Sequence, residues 1–314
     1  MPNLKLWFLD VGHGDCAYIA LPNGAARLMI DCGGGNNNWP SKLLTHYGVT
    51  KSAGPIPLPN PTGKFGLDNL IITHPHGDHI SDIANIHDDI GFQHLVGGYR
   101  NFIDKIADTS IDFKKTGQEA AKKFREIVKR YCATYDANND RVALAKPHCQ
   151  VEKFRFIDYE DGIDLNHISW LVSITYGVHK VLFTGDLTAT AVTRILKSNR
   201  AEKFKEFVKG TTILKVPHHG RENGCSDEMF DHFGGKPVLC IASDEVLNDR
   251  NQGTSYIEWY TARTSDVKVN INGSMESRKV LTTRKDKDIF IEIPVLGNMA
   301  VTTNAFKDLR EKLL

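Results

Sequence analysis

The sequence predicts an α/β fold in which two β-sheets pack together and helices cover their outer sides, a four-layer αβ/βα sandwich. Three observations predict it. Strand-like runs crowd the early and late parts of the chain, with helical patterns between them. Some of these runs, such as Leu70-Ile71-Ile72, are apolar throughout, which suits strands covered on both faces. Each cluster of chemistry-bearing residues also follows directly on a strand-like run, the placement expected of a site built along strand ends.

Taken in order, Leu4–Leu9 and Ala17–Leu21 read as a hairpin, with Gly12, Gly14 and Pro22-Asn23-Gly24 supplying turns. Arg27–Ile30 is a third strand and ends at Asp31 in a run of Gly and Asn. Residues 48–63 are rich in Pro and Gly and read as a loop. Over 117–132, Ala120, Ala121, Phe124, Ile127 and Val128 recur at helical spacing, while Lys122, Lys123, Arg125, Lys129 and Arg130 take the other positions. That pattern predicts a helix with a solvated basic face, the alternative use of the face being a nucleic-acid or partner surface. Strands return at 168–176 and 180–183, followed by one helix over roughly 188–208, strands at 213–216 and 238–242, and two or three β segments in 278–303 around Lys285–Asp288 and Gly297.

The 314 residues are long for one domain but within reach of layered folds. A single domain spanning 1–314, with a helical insertion over roughly 98–135, is the expected organisation. Hydrophobic residues at 41% and charged residues at 25% exclude a disordered chain, a collagen-like fibre and a coiled-coil rod. Lys+Arg at 39 against Asp+Glu at 38 leaves no global basic field, so nucleic-acid binding would need a local patch. No apolar run of about 18 residues is present, so no membrane span is expected. The first residues carry no apolar signal core, and six scattered cysteines form no CxxC pair, which predicts a reduced, cytoplasmic setting.

The densest chemistry is Thr73-His74-Pro75-His76-Gly77-Asp78-His79. With 13 histidines in the whole chain, composition does not account for three of them and an aspartate within six positions. Imidazole nitrogen and carboxylate oxygen suit Zn²⁺ or a related ion. His74 and His76 alternate, so two nitrogens can converge on one ion, and a bend at Gly77 can send Asp78 and His79 toward a second. Phe183-Thr184-Gly185-Asp186 ends another strand with a carboxylate able to bridge two ions, and Val216-Pro217-His218-His219-Gly220 ends a third with paired histidines. Alone, an Asp after Gly is ordinary turn chemistry and a His pair is an ordinary surface feature. Together the three strand ends offer the ligand set of a binuclear hydrolytic site.

These motifs resemble those of the metallo-β-lactamase-fold hydrolases, and more closely the soluble hydrolase domain of the ComEC group of competence proteins. Phe8-Leu9-Asp10-Val11-Gly12-His13-Gly14-Asp15-Cys16 is similar to that group's opening motif, with His13 where Gln is usual. Leu28–Gly34 resembles the superfamily's first motif, His74–His79 its second, Phe183–Asp186 its bridging-aspartate motif, and Leu214–Gly220 the group's version of the last. The resemblance implies that His74 and His76 bind a first metal, that Asp78 and His79 bind a second, and that Asp186 bridges them. It implies His219 as the last ligand of the second metal, with His218 as the alternative. Asp31 is implied to orient ligands without binding metal itself, and Asp10, His13 and Asp15 to line the same rim.

The chain departs from the pattern twice. Most superfamily members supply one further histidine to the first metal just before the bridging-aspartate strand, where this chain reads Asp164-Leu165-Asn166-His167-Ile168-Ser169. His167 is the nearest candidate and His148 a more distant one, although the register would place Ile163 or Asp164 at the ligand position. A late His-Pro common in the group is replaced by Asn251-Gln252-Gly253-Thr254-Ser255.

The resemblance implies two divalent ions, Zn²⁺ first and Mn²⁺ second, and Asp78 and Asp186 as the carboxylates closest to catalysis. Histidine at 76, where the oxygen-reducing di-iron branch carries glutamate, points to hydrolysis. The implied substrate is a phosphodiester, either DNA or a smaller nucleotide. Competing readings are a lactonase-type small-molecule hydrolase and a metal-binding regulatory or defence-module protein without turnover.

Overall fold

A computed structural model describes residues 2–35, 38–51, 65–96, 115–132, 149–155, 164–244 and 256–303. Most of the expected 48–63 loop, part of the 98–135 insertion, His148, Ile163 and the Asn251–Ser255 segment lie outside the described residues. The strands are β1 (Leu4–Phe8), β2 (Ala17–Ala20), β3 (Arg27–Ile30), β4 (Leu67–Ile71), β5 (Phe92–Val96), β6 (Cys149–Phe154), β7 (Leu171–Tyr176), β8 (His179–Phe183), β9 (Ile213–Lys215), β10 (Leu239–Ala242), β11 (Val267–Ile271), β12 (Ser274–Arg278), β13 (Val280–Thr282), β14 (Ile289–Ile293) and β15 (Ala300–Thr303). The helices are α1 (Pro40–His46), α2 (Gly77–Ile80), α3 (Ile83–Asn85), α4 (Lys115–Cys132), α5 (Ala189–Leu196), α6 (Ala201–Val208), α7 (Asp227–Asp231), α8 (Ile257–Arg263) and α9 (Thr283–Asp286).

Among the described residues the strands form a nine-stranded sheet, ordered β12-β11-β15-β14-β1-β2-β3-β4-β5, and a six-stranded sheet, ordered β13-β10-β9-β8-β7-β6. Strand alternation builds the layers. From the first sheet Leu4, Leu6, Phe8, Ala17, Ile19, Leu28 and Ile30 face inward, and they meet Val172, Ile174, Val181, Phe183, Ile213 and Ile241 of the second. The opposite face of the first sheet, with Trp7, Tyr18 and Met29, packs under helix residues such as Leu44, Ile80, Ile83 and Phe124. The opposite face of the second, with Leu182, Leu214 and Cys240, packs under Val192, Phe204, Met229 and Tyr260. This is the expected four-layer order, with the strongly apolar strands buried on both sides.

Several elements differ from expectation. The single helix over 188–208 is two helices, α5 and α6, because Ser198 caps the first locally: its Oγ donates to Ile195 O (2.7 Å) and accepts from Arg200 N (3.0 Å). The Lys285 region is helix α9, capped by Thr282 Oγ1 accepting from Lys285 N (3.3 Å). The β11–β12 hairpin turns at Asn272-Gly273, both at positive φ, a signal the sequence reading passed over. Strands β5 and β6 also went unread.

Helix α4 lies within the expected insertion and packs against α2, α3 and β5. Ala120, Ala121, Phe124, Ile127 and Val128 are buried, while Lys122, Lys129 and Arg130 face outward. Among the described residues no helix is long and apolar enough to cross a membrane.

Candidate metal centre

Residues after β4, β8 and β9 meet at one end of the two sheets, and Asp186 is their common point. Its Oδ1 lies 3.2 Å from His79 Nε2 and 3.8 Å from His219 Nε2. Its Oδ2 lies 3.7 Å from His74 Nε2 and 3.6 Å from His218 Nε2. Asp78 Oδ2 is 3.3 Å from His219 Nε2. Donor atoms of Asp78, His79, Asp186 and His219 all lie within 4.8 Å of one another, and so do those of His74, His76 and Asp186.

Local backbone demands explain how the loops come so close. Asp15 N donates to Asp78 O (2.9 Å), Gly33 N to Asp15 O (2.9 Å) and Cys32 N to His79 O (2.8 Å), so three loops are laced together. A Cβ on Gly33 would stand 1.6 Å from Asp78 O, so only glycine fits there. His76 is extended, with φ −73° and ψ 155°, and the first turn of α2 then presents Asp78 and His79. His218 and His219 are both left-handed, at φ 49° and 54°. For side chains that crowd their own backbone in this region, such strain marks a position held by its surroundings.

Surrounding groups set which ring nitrogen faces the centre. Asp31 accepts from Thr73 N (2.7 Å), Thr73 Oγ1 (2.7 Å) and His79 Nδ1 (2.8 Å), which turns His79 Nε2 inward. His219 Nδ1 donates to Ser243 O (3.0 Å), turning its Nε2 inward as well. His79 Nε2, His219 Nε2 and Asp186 Oδ1 are buried, the two nitrogens facing the oxygen at 3.2 and 3.8 Å without an aligned hydrogen bond. Orphaned polar atoms are costly in a protein interior. Two imidazole nitrogens and a carboxylate oxygen aimed at one point fit a divalent cation such as Zn²⁺ or Mn²⁺.

The electrostatics are those of a carboxylate–imidazole cluster. Against burial, Asp186 and Asp31 raise His79 well above the usual imidazole value and Asp186 and Asp78 raise His219, protons that a bound cation would displace. Burial opposes ionisation of Asp186, but the imidazoles of His79 and His219 outweigh it and hold its carboxyl well below the usual range. Asp78 is likewise held well below that range, against burial, by His219 and His79. Burial, with His79 beside it, pushes His74 well below the usual imidazole value and keeps it neutral.

The structure separates the remaining sequence candidates. His13 stands at the rim, its ring stacked on His219 at 5.0 Å and its Nε2 3.6 Å from Asp78 Oδ2. Asp15, expected on the rim, is instead buried beneath it, where Lys215 Nζ reaches Asp15 Oδ2 at 2.6 Å and Ser243 Oγ donates to Oδ1 at 3.0 Å. A carboxylate so deep needs the lysine to offset its charge. Asp10 faces Lys287 Nζ at 3.4 Å and belongs to no donor group among the described residues. His167 is not brought to the centre either: its Nε2 is 4.0 Å from Asp164, and neither residue joins a donor group. Asp164 caps the 165–168 turn by accepting from Asn166 N (2.9 Å). Just after that turn, Ser169 Oγ accepts from Asp186 N (3.2 Å).

Sequence reasoning missed Arg221. Its Nη2 lies 3.0 Å from His13 Nε2 and its Nη1 3.3 Å from His218 Nε2. A cation just after a His pair at a strand end was the available signal.

Residues 9–230 match the family model of the metallo-beta-lactamase superfamily. Among solved structures, the chain is similar to the metallo-beta-lactamase fold protein YhfI from Bacillus subtilis, at 13% identity and a TM-score of 0.46, covering 92% of this chain and 99% of that one. It is also similar to the short form of human tRNase Z, at 11% identity and a TM-score of 0.33, covering 82% of this chain and 86% of that one. No curated protein matches the sequence.

Proposed function

The chain belongs to the metallo-beta-lactamase superfamily, and from that premise we propose that it is a hydrolase that holds two divalent ions and cleaves phosphodiesters, of DNA or of a smaller nucleotide. One observation carries the reading: five side chains from two separate loops converge on Asp186, where buried donor atoms make no aligned hydrogen bond.

Zn²⁺ or Mn²⁺ bound by these residues supplies a Lewis acid for the phosphoryl oxygen and a water whose pKa falls from ~15.7 toward ~7. His74 and His76 are the protein's donors to one ion, Asp78, His79 and His219 its donors to the other, and Asp186 keeps the two sets together. Of the two carboxylates Asp78 is the more accessible, 26% against 2% for Asp186, so it is the one placed to orient an incoming water. Asp31 keeps the His79 ring in place through Nδ1. Arg221, with His13 beside it, sets a fixed cation at the mouth, and a planar guanidinium suits a phosphate oxygen pair. The resemblance of the 8–16 and 214–220 motifs to the ComEC group supports a phosphodiester over a lactone.

The test is turnover of bis-p-nitrophenyl phosphate, single-stranded DNA, double-stranded DNA and cyclic dinucleotides, with added Zn²⁺ or Mn²⁺ and with chelator. Hydrolysis that disappears with chelator and in Asp186→Ala is expected. A protein that binds metal yet turns over none of these substrates overturns the proposal in favour of a non-catalytic role.

A further inference from the structure

We propose that His218 is the third histidine of the first metal set, so that the two consecutive histidines of the Pro217–Gly220 turn each serve a different ion. The inference rests on the two-ion reading above, and the observations that carry it concern the turn itself.

Consecutive residues of an extended chain point to opposite sides, so a His-His pair after a strand would send one ring to the centre and one away. Here the backbone is left-handed at both, with φ/ψ of 49°/49° at His218 and 54°/20° at His219. Both rings are thereby directed at Asp186, and they take different oxygens. His219 shares Oδ1 with His79, at 3.8 and 3.2 Å, while His218 shares Oδ2 with His74, at 3.6 and 3.7 Å. The carboxylate thus divides four histidines two by two. His74 in turn carries His76, whose Nδ1 is 3.0 Å from His74 Nε2. His74, His76 and His218 gather on the Oδ2 side, and Asp78, His79 and His219 on the Oδ1 side.

The turn is fixed to the bridging loop by His218 N donating to Gly185 O (3.1 Å), so its position relative to Asp186 is set by backbone. The His218 ring is only 10% exposed. Its Nε2 lies against Arg221 Nη1 at 3.3 Å, and a guanidinium has only donors to offer. Nε2 is therefore the unprotonated nitrogen, the tautomer a ligand needs. His218 is the outer member of this side: it reaches Asp186 Oδ2, but it stands outside the His74–His76–Asp186 group whose donor atoms lie within 4.8 Å of one another. An ion held on the Oδ2 side would take the His218 Nε2 lone pair that Arg221 faces. The histidine that the 164–169 segment does not bring to the centre is thus supplied from the other loop.

The experiment counts ions on the full-length protein by native mass spectrometry and measures each affinity by calorimetry with Zn²⁺ and with Mn²⁺. Cobalt absorption spectra report the donor set. Asparagine tolerates left-handed backbone, so His218→Asn preserves the turn, and His218→Ala is its companion; metal-free melting curves confirm that both fold. Wild type is expected to bind two ions. Both His218 variants should keep one affinity within about twofold and weaken the other at least about tenfold, the range by which even indirect support of a metal matters. His219→Asn should weaken the opposite ion, and His167→Ala should leave both affinities unchanged. Two ions held by His218→Asn with wild-type affinities, or an ion lost in His167→Ala, overturns the inference. If wild type binds two ions and the His218 pattern holds but no diester is cleaved, the hydrolase reading fails and this assignment stands. A wild-type protein that binds no ion overturns both.

Discussion

The loops Thr73–His79 and Pro217–Gly220 bring histidines to the same carboxylate by opposite means. In the first, spacing does the work: His74 and His76 alternate on extended chain, and the start of α2 presents Asp78 and His79. In the second, neighbouring residues reach one centre only because both adopt left-handed backbone, a conformation costing of order 1–3 kcal/mol at each non-glycine position. That cost is offset by Pro217 ahead of the pair, by Arg221 N donating to His218 O (2.9 Å) and by His219 Nδ1 on Ser243 O (3.0 Å). Spacing can be read from a sequence; backbone strain cannot. The first loop tolerates no change of register, whereas the second depends on its neighbours to stay folded against its own preference.

The largest effect should come from the residue both loops share. Asp186→Ala removes the carboxylate that touches His74, His79, His218 and His219. Phosphodiester turnover should fall more than about a hundredfold, since loss of a direct ligand exceeds the loss of its support. Metal content should fall with it, while the metal-free protein still melts cooperatively, because the three apolar layers hold the fold. Near wild-type turnover would break the idea that the loops work as one centre.

Next in size is Lys215→Met, which acts beneath the second loop. Lys215 and Asp15 are both buried and 2.6 Å apart, and removing the cation strands a charge that the interior cannot solvate. A loss of about 3–5 kcal/mol in denaturant unfolding is expected, with most of it recovered in Asp15→Leu/Lys215→Met. A loss below about 1 kcal/mol would show that water reaches Asp15 once the lysine has gone.

Much of this architecture was legible beforehand, for identifiable reasons. Wholly apolar runs such as Leu70-Ile71-Ile72 and Val181-Leu182-Phe183 announced covered strands, and those strands lie in the two sheets. The His74–His79 cluster was visible because its ligands sit close in sequence on one strand end. Contacts between distant residues were not: Lys215 and Asp15 are 200 positions apart, and nothing local marks them as partners. His167 was the nearest upstream candidate for a third histidine, in the superfamily's order, but the ring that stands 3.6 Å from Asp186 Oδ2 is that of His218, far downstream. Strand β12 carries almost no buried side chain and so no hydrophobic pattern to detect, although Asn272-Gly273 marked its turn.

Asp31→Asn sharpens the contrast by loosening the first loop alone. Asp31 is itself left-handed, at φ 59°, a conformation asparagine also accepts, so the backbone should survive. The carboxylate that holds Thr73 and the His79 ring is lost, and the ion on the Oδ1 side of Asp186 should weaken about 10- to 100-fold. The other ion should change little. Equal weakening of both in a titration would mean that the two loops cannot be perturbed separately.

The smallest effect is expected at Asp288, which supports the 9–16 loop that lies beside both. Asp288 Oδ1 accepts from Asp10 N (2.7 Å), and its Oδ2 is buried without a partner. Burial, with the Asp10 charge adding to it, pushes Asp288 up to about 7, against the pull of the Asp10 N–H and Lys287. In the unfolded chain the same group titrates near ~3.9. Between these values the folded protein holds a proton that the unfolded chain has released, so stability falls as pH rises through the window. Above about 7 the whole penalty is in place, and below about 4 it is absent. Asp288→Asn keeps the acceptor for Asp10 N without the charge. Its melting temperature should therefore gain on wild type by a few degrees between pH 4.5 and 7.5, then hold a constant lead. Other titrating groups are common to both proteins and cancel in the difference. A difference that stays flat across the range would mean that Asp288 ionises as it does in water, and that the 9–16 loop is held by a charge and not by a neutral acid.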